Sequence, residues 1–268
     1  MFSPNYVIAL ANPEITIKSS IVRGKLIKRL ESNIIFYLRL KKVSYSKVFC
    51  SAGRFFIETN EPQKVVSALE HCFGIHFFYL AQKFPSKSVA DVCLPLKDIC
   101  GTNLKNNFAV RGKSHCLDYS SKDLEIALGS EVLNCFPELK VKLKYPDSEL
   151  FCLSFEDCSY FYFKEIIGPG GMPVGSQGKV ALIVSTNNAD ELALSLMKSG
   201  CSLVVFGKLA KKTLKFSPAS ILFVDLSKIK SNYALGNVEA VFSDLSSMKE
   251  VSVLSKKLGL KVFAPFIF

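Results

Sequence analysis

The sequence predicts two small α+β units followed by a short α/β unit with a parallel sheet. In the last part of the chain, apolar strands such as VALIV and SLVVF alternate with the helical segments ADELALSLMKSG and SSMKEVSVLSKKLG, which is typical of a doubly wound sheet. Earlier in the chain, hairpin signals alternate with single helices, which favours mixed α+β units. With 268 residues, 49% of them hydrophobic, the chain is long and apolar enough to bury such cores.

The first predicted unit covers residues 1–84. NYVIAL predicts a strand, and IVRGKLIKRLESNIIFYL predicts a helix with a cap at Ser19 or Ser20 and a single apolar stripe. The hairpin VFCSAGRFFIET, a helix that begins at Pro62 and the strand HFFYLAQKF complete this unit.

The second predicted unit covers residues 85–167. A helix interrupted near Pro95 precedes the strand NNFAVRGK. Ser120 and Asp123 approximate a capping box at the start of the next helix. The alternating segment LKVKLKYPDSELFCLSFEDCSYFYFKEI then predicts strands joined at a Glu156-Asp157 turn.

The net charge of +11 suits a polyanionic partner. Residues 1–42 carry eight basic and two acidic side chains, so more than half of the net charge lies there. On the long helix of this region, the basic residues form either a solvated face or a face that contacts phosphates. The three alternating lysines of LKVKLKY would share one side of an extended segment. They would form either an edge that discourages aggregation or an RNA contact.

The nine cysteines are scattered and none forms a CxxC pair, which favours reduced, mostly buried thiols over a zinc site. The three histidines are too dispersed to suggest a metal site, and we expect no metal. No apolar run approaches the ~20 residues of a transmembrane helix, and MFSPNYVIALANPE lacks the features of a signal peptide. We therefore expect a cytoplasmic protein without a membrane partner.

Several segments together resemble the tRNA 4-thiouridine synthetases, or tRNA sulfurtransferases. PEITIKS and VRGKLIKRLESNI resemble the N-terminal ferredoxin-like domain of that family. VRGKSHCLDYSSKDLE and VKLKYPD resemble its THUMP domain, an RNA-binding module. The segment GPGGMPVG that begins at Gly168 resembles the GxGGxPxG hinge before the catalytic domain. The order and spacing of these segments make the resemblance specific.

The resemblance implies an α+β ferredoxin-like domain (1–84), a THUMP domain (85–167), a hinge (168–179) and a short α/β Rossmann-like domain of the PP-loop type (180–268). The first two domains would bind the acceptor end of tRNA. In the family, the third domain uses ATP to adenylate a uridine, and a cysteine persulfide then delivers sulfur to the activated carbon.

The third domain departs from the family at its nucleotide loop. An active PP-loop carries SGGxDS, because glycines let backbone N–H groups turn toward the pyrophosphate. The motif falls on Val184–Ala189, or on Ser185–Asp190 if the register moves by one, and neither register supplies a glycine. Asn188 in place of the aspartate removes a charge that would favour Mg–ATP. We therefore expect a degenerate PP-loop, whose nucleotide-facing residues would be Ser185, Thr186, Asn187 and Asn188.

A distorted anion loop stays an alternative, because Asn187 and Asn188 tolerate a left-handed backbone. We also expect sulfur transfer to be absent, since no cysteine pair and no rhodanese-like segment is evident to carry a persulfide. Cys201, the only cysteine of the third unit, is expected to be a buried structural thiol.

The favoured hypothesis is a non-catalytic tRNA-binding protein that presents tRNA to a modification enzyme and needs no cofactor. One alternative is an active sulfurtransferase with an atypical loop, which would use ATP and Mg²⁺. Another is an adapter subunit of a different tRNA modification system, such as an acetyltransferase, and a third is a decayed paralogue. The sequence leaves homodimerisation open. The residues expected to contact RNA are Lys18, Arg23, Lys25, Lys28, Arg29, Arg111, Lys113, Lys140, Lys142 and Lys144.

Overall fold

The computed structural model describes residues 1–219, 221–224, 238–259 and 261–265. The chain forms two compact units, each assembled from separate stretches. The first unit consists of Met1–Ala9, Ser44–Val66 and Phe78–Ile166, and the second consists of Leu10–Val43, Ser67–Phe77 and Ile167–Phe268. The division of the chain at residues 84, 167 and 179 remains a prediction.

The first nine strands form one mixed sheet. They are β1 (Tyr6–Ala11), β2 (Lys47–Ser51), β3 (Arg54–Glu58), β4 (Ile75–Pro85), β5 (Asn107–Ser114), β6 (Lys140–Val141), β7 (Ser148–Ser154), β8 (Cys158–Tyr162) and β9 (Glu165–Ile167). The strand order is β2-β3-β1-β4-β8-β7-β5-β6, and β9 pairs with β4. This arrangement confirms the predicted α+β class of the N-terminal part.

Two hairpins lie where the turn residues predict them. β2 and β3 pair antiparallel around Ala52 and Gly53, whose φ values are 49° and 75°, as a two-residue hairpin loop requires. β7 and β8 pair antiparallel on either side of residues 155–157, with Ser154 opposite Ser159. By contrast, β5 pairs in parallel with both β6 and β7.

The lysine-rich segment is not the extended strand that its alternation suggests. β6 covers only Lys140–Val141, and residues 142–147 form a loop. The loop returns to β5, where Asp147 N–H donates to Asn107 O at 3.1 Å. The expectation of one extended, lysine-lined edge is therefore wrong, because backbone hydrogen bonds fold the segment back, although all three lysines are exposed.

The longer helices form where apolar periodicity and capping residues predict them, whereas the short helices at Pro13–Thr16 and Lys211–Leu214 are not predicted. Their bounds are α1 (Pro13–Thr16), α2 (Ser20–Leu40), α3 (Pro62–Leu69), α4 (Val89–Cys93), α5 (Leu96–Cys100), α6 (Ser121–Cys135), α7 (Ala189–Lys198), α8 (Lys211–Leu214) and α9 (Met248–Leu258). α2 begins after Ser19 and fully buries Leu30, Ile34 and Leu38 of the predicted stripe. The predicted capping box of Ser120 and Asp123 is present at the start of α6.

The core of the first unit lies between its later helices and its sheet. Val92 of α4, Leu96 of α5 and Leu128 of α6 pack with Phe108 and Phe161 of the strands, and all five side chains are fully buried. Burial of such aliphatic and aromatic surface is the main stabilising contribution to a fold of this size.

The second unit contains a five-stranded sheet in which every recorded pair of strands is parallel. Its strands are β10 (Lys179–Ile183), β11 (Ser202–Phe206), β12 (Leu222–Val224), β13 (Ala240–Ser243) and β14 (Val262–Phe263). The strand order β12-β11-β10-β13-β14 confirms the predicted doubly wound α/β class. Residues 220, 260 and 266, at the ends of predicted strands, lie outside the described residues.

Alternate residues of β10 face opposite sides of this sheet. Leu182 packs with Leu192 and Met197 of α7, whereas Ile183 packs with Val251 of α9. Because both faces of the strand are covered, the whole of VALI is apolar, as is typical of a central parallel strand.

The glycine-rich segment 168–175 is fixed by backbone contacts within the second unit. Gly168 N–H donates to His76 O at 2.8 Å. A β-carbon on Gly168 would lie 2.5 Å from Ile75 O, and one on Gly171, whose φ is +73°, would lie 2.5 Å from Lys198 O. These two positions therefore require glycine.

Candidate functional site

The β10–α7 loop, residues 184–188, lies at the carboxyl edge of the parallel sheet. Its residues Ser185, Thr186, Asn187 and Asn188 are exposed. Asn188, which precedes α7, has a φ of −85°, so it does not adopt the left-handed conformation considered for it. The loop leads into a helix N-terminus, where unpaired backbone N–H groups favour an anion.

Two N–H groups of this loop are already bonded to a carboxylate of the same chain. Ser185 N–H donates to Asp244 Oδ1 and Thr186 N–H donates to Asp244 Oδ2, both at 2.7 Å. The Thr186 hydroxyl also donates to Oδ2, at 2.8 Å, and accepts a hydrogen bond from Asn188 N–H at 3.2 Å. The loop amides therefore converge on an anion, but this anion is the side chain of a completely buried residue of the protein.

Asp244 reaches the loop because of the strand order. It directly follows β13, which pairs in parallel with β10 and places Ser243 opposite Ile183. The residues that follow these two strands, Val184 and Asp244, thus emerge side by side. β11 lies on the other side of β10, so this is the point where the strand order reverses. Ligands of open α/β sheets commonly bind in the crevice at such a point.

Asp244 is not among the residues singled out from the sequence, where VEAVF predicts only a strand. The sequence feature that could have identified Asp244 is its position after a strand. An acidic residue that directly follows an apolar parallel strand lies at the same edge as the loop after the first strand.

Asp190, the only acidic residue in the segments aligned with SGGxDS, is also engaged. Its Oδ1 accepts hydrogen bonds from Ala210 N–H at 2.9 Å and from the hydroxyl of Thr213 at 2.5 Å. These bonds attach the start of α8 to α7. Within the described ranges, no three His, Cys, Asp or Glu side chains are grouped so that they could hold a metal ion.

Burial raises the pKa of several thiols. None of the nine cysteines forms a disulfide, and Cys201, expected to be buried, is only partly buried. Burial raises the pKa of Cys201, and nearby Glu239 raises it further. Burial also raises the pKa of Cys100 to about 12. The thiolate is the nucleophile in persulfide chemistry, so a raised pKa disfavours the reactive form of these two cysteines.

Five of the predicted RNA-binding residues lie in the second unit, on α2 or just before it. Each is exposed, and they are Lys18, Arg23, Lys25, Lys28 and Arg29. α2 is attached to the glycine-rich segment, because Asn33 Nδ2 donates to Val174 O at 3.1 Å. The Arg29 guanidinium carbon lies 3.6 Å from the place that a β-carbon on Gly175 would occupy.

The other five lie in the first unit, on β5, on β6 and in the loop that follows β6. They are Arg111, Lys113, Lys140, Lys142 and Lys144. The four lysines are exposed, whereas Arg111 is half-buried and bonded within the protein. Its Nε donates to Glu149 Oε1 and its Nη2 donates to Leu143 O, both at 2.9 Å. The two groups of candidates thus belong to different units, and their role in RNA binding remains a prediction.

None of the described helices is long and apolar enough to cross a membrane.

Similarity to known proteins covers much of the chain. Residues 7–78 match the family model described as the ThiI ferredoxin-like domain. A protein of Methanosarcina mazei named a probable tRNA sulfurtransferase is 31% identical over 207 residues, which are 74% of this chain and 50% of that protein. One of the same name from Streptococcus sanguinis is 29% identical over 170 residues, 61% of this chain and 41% of that protein. The chain thus spans about half the length of the curated relatives it matches.

Two solved structures share the fold. PH1313 from Pyrococcus horikoshii has a TM-score of 0.81 and 21% identity, over 98% of this chain and 94% of that chain. A 4-thiouridine synthetase in complex with RNA and ATP has a TM-score of 0.71 and 20% identity, over 98% of this chain and 81% of that chain. With the family match, this likeness confirms a ferredoxin-like N-terminal domain and a Rossmann-like sheet in the C-terminal part.

Proposed function

The chain belongs to the tRNA sulfurtransferase, or 4-thiouridine synthetase, family, and on this basis we propose that it binds tRNA without catalysing thiolation. It presents the acceptor end of tRNA to a modification enzyme in the cytoplasm, and residues 85–167 serve as its THUMP module. The names of the relatives and the RNA complex of a structural neighbour support tRNA as the ligand. The net charge of +11 supports a polyanionic ligand as well.

The observation that carries the non-catalytic part is the Asp244 carboxylate bonded to the β10–α7 loop. The N–H groups that would hold a phosphate already have a negatively charged acceptor. A triphosphate would have to displace this buried carboxylate or bind beside it, where two anions repel each other. The loop also lacks the glycines that would let further N–H groups turn toward a phosphate.

Nucleotide assays on the purified full chain test the absence of catalysis. We expect no saturable ATP binding in equilibrium dialysis with labelled ATP and no ATP–pyrophosphate exchange, with or without tRNA. Exchange activity, or 4-thiouridine in tRNA after incubation with ATP and a sulfur donor, would overturn the non-catalytic proposal.

Filter binding with tRNA tests the ligand. Because binding to phosphates releases counterions, we expect affinity to fall by orders of magnitude between about 50 and 200 mM salt. Absent or salt-insensitive binding would contradict the proposed RNA ligand, irrespective of the nucleotide assays.

The names of the relatives favour tRNA thiolation as a second candidate function. In that case ATP and Mg²⁺ are the cofactors, and a partner supplies the nucleotide site or the sulfur. The exchange assay, repeated with proteins that co-purify with the chain, distinguishes this candidate from a chain that only presents tRNA.

A further inference from the structure

The β6–β7 loop, residues 142–147, carries the most exposed aromatic ring among the residues that the structure describes. Tyr145 is 90% exposed, whereas the next most exposed phenylalanine or tyrosine residues, Phe223 and Phe263, are 44% and 42% exposed. A single exposed ring is ordinary in a folded protein. The backbone that holds this ring is not.

Tyr145 has a φ of +51°, in a region that residues with a β-carbon rarely occupy. Bonds at both ends of the loop maintain this conformation. Lys142 N–H donates to Phe108 O at 2.9 Å, and Asp147 N–H donates to Asn107 O at 3.1 Å. The loop is therefore anchored to β5 where it begins and where it ends, and the ring is held in water between these anchors.

Arg111 provides a third anchor. From β5, its guanidinium donates to the backbone oxygen of Leu143 and to the carboxylate of Glu149 on β7, both at 2.9 Å. Because the guanidinium is planar, two such bonds fix its orientation. Arg111 thus links Leu143, near the start of the loop, to strands β5 and β7.

The charged side chains of the loop leave a small positive excess, because Lys142 and Lys144 outnumber Asp147. Lys142 and Lys144 are exposed, and neither has a recorded ion pair with a described residue. The nearby acids are engaged within the protein, since Asp147 accepts from Asn107 Nδ2 at 3.0 Å and Glu149 pairs with Arg111. The loop therefore combines a fixed aromatic ring with two available cations.

This combination matches single-stranded RNA better than other polyanions. An unpaired base offers a flat face that stacks on an aromatic side chain, and its flanking phosphates take up lysines. An acidic peptide would use the lysines but leave the ring without a partner. In a double helix, the faces of the bases are already stacked on each other.

We propose that Tyr145 stacks on an unpaired base of the bound RNA while Lys142 and Lys144 contact the adjacent phosphates. Arg111 is a positioning residue that holds the loop and does not itself bind a phosphate. The proposal rests on the proposed tRNA binding and specifies where the chain holds an unpaired stretch of that RNA.

Fluorescence anisotropy with two labelled RNA hairpins tests the stacking in the full chain. One hairpin has a blunt stem, and the other has the same stem with a single-stranded 3′ tail. Tyr145→Asn removes the ring but tolerates positive φ, and Tyr145→Phe keeps the ring. We expect Tyr145→Asn to weaken binding of the tailed hairpin about fivefold or more, and to leave the blunt hairpin within about twofold. Tyr145→Phe should bind both like the wild type.

A matched control and a direct signal accompany these variants. Leu143→Ala removes another exposed apolar side chain, 66% exposed, from the same loop and should change neither affinity. A 2-aminopurine base in the tail should lose fluorescence on binding to the wild type, because stacking on tyrosine quenches it. The quenching should persist in Leu143→Ala and disappear in Tyr145→Asn.

Arg111→Lys separates positioning from phosphate contact, because lysine keeps the charge but not the planar pair of bonds. If Arg111 positions the loop, Arg111→Lys loses the preference for the tailed hairpin. Arg111→Gln then reduces this preference to the same extent as Arg111→Lys. The salt dependence of blunt-hairpin binding then stays unchanged in both variants. If Arg111 binds a phosphate, Arg111→Lys retains affinity, and Arg111→Gln lowers the slope of log affinity against log salt by about one.

The outcomes distinguish this proposal from the one on which it rests. A wild-type chain that binds neither hairpin overturns the proposed RNA binding and the stacking with it. If the chain binds both hairpins but Tyr145→Asn changes neither the preference for the tail nor the 2-aminopurine signal, the stacking alone is overturned. A tail preference and a quenching signal that both require the ring support the proposal.

Discussion

Asp244 is a completely buried carboxylate that receives three short hydrogen bonds from Ser185 and Thr186. A buried anion without such partners is strongly unfavourable, whereas hydrogen bonds to a charged acceptor are the strong ones in proteins. The acid and the loop therefore depend on each other. The loop supplies the donors, and Asp244 supplies the acceptor that these donors would otherwise lack.

Replacing Asp244 with asparagine should destabilise the second unit by about 1–3 kcal/mol. An amide has one acceptor oxygen for the two N–H groups, and its own NH₂ would face one of them. Thermal unfolding followed by circular dichroism should show a lower midpoint, and amide exchange at Ser185 and Thr186 should accelerate.

Asp118→Asn is the control for this substitution, because Asp118 is exposed and the change in charge is the same. Its effect should stay within about 0.5 kcal/mol. Equal stability of Asp244→Asn and the wild type would show that the carboxylate is not what satisfies the loop.

Among the helices, we expect α6 to have an N-terminus whose contribution to stability depends on pH. A hydrogen bond from the Ser120 hydroxyl lowers the pKa of Asp123, and a bond from the Ser120 backbone N–H lowers it to a lesser extent. A carboxylate with a folded-state pKa below its unfolded value of about 3.9 stabilises the folded state above that pH. This contribution is lost as the pH falls through the lowered folded-state pKa.

Ser120→Ala should therefore lower the thermal midpoint at neutral pH, where the capping box is intact. The difference from the wild type should shrink as the pH falls below about 4, which circular dichroism melts across that range would measure. Ser130→Ala, on an exposed position of the same helix, should leave the midpoint unchanged or slightly higher. A deficit of Ser120→Ala that is constant with pH would contradict this account.

The elements that the sequence predicts best are those set by neighbouring residues. The hairpin at Ala52-Gly53 and the parallel strands follow from turn chemistry and apolar runs, which are local. The bond between Ser185 and Asp244 joins residues 59 apart, and no local pattern selects that acid from the others. The alternating lysines predict an extended segment wrongly for a related reason. Backbone partners on β5, distant in sequence, bend that segment into a loop.

The net charge of +11 is a property of the full chain. Several of the positive charges lie close together on α2. Changing Arg23, Lys28 and Arg29 together to glutamine should weaken tRNA binding regardless of sequence. If all three contact phosphates, the slope of log affinity against log salt should fall by about 3. Filter binding over a salt series measures both quantities.

The matched control changes three exposed lysines on α9, Lys249, Lys256 and Lys257, to glutamine and removes the same charge from the same unit. It should affect the slope much less. Equal effects of the two triple variants would mean that overall charge, and not the α2 surface, drives binding. An unaffected α2 variant would remove that helix from the interface.

The carboxylate bonded to the β10–α7 loop also constrains the evolution of this chain. Removing Asp244 alone strands two inward-facing N–H groups, and introducing loop glycines alone leaves the acid seated among them. We expect each substitution alone to lower the stability of the fold without a gain in ATP affinity. Selection would therefore oppose either change made on its own. If the proposed function holds, a nucleotide site could return only when the loop and Asp244 changed together.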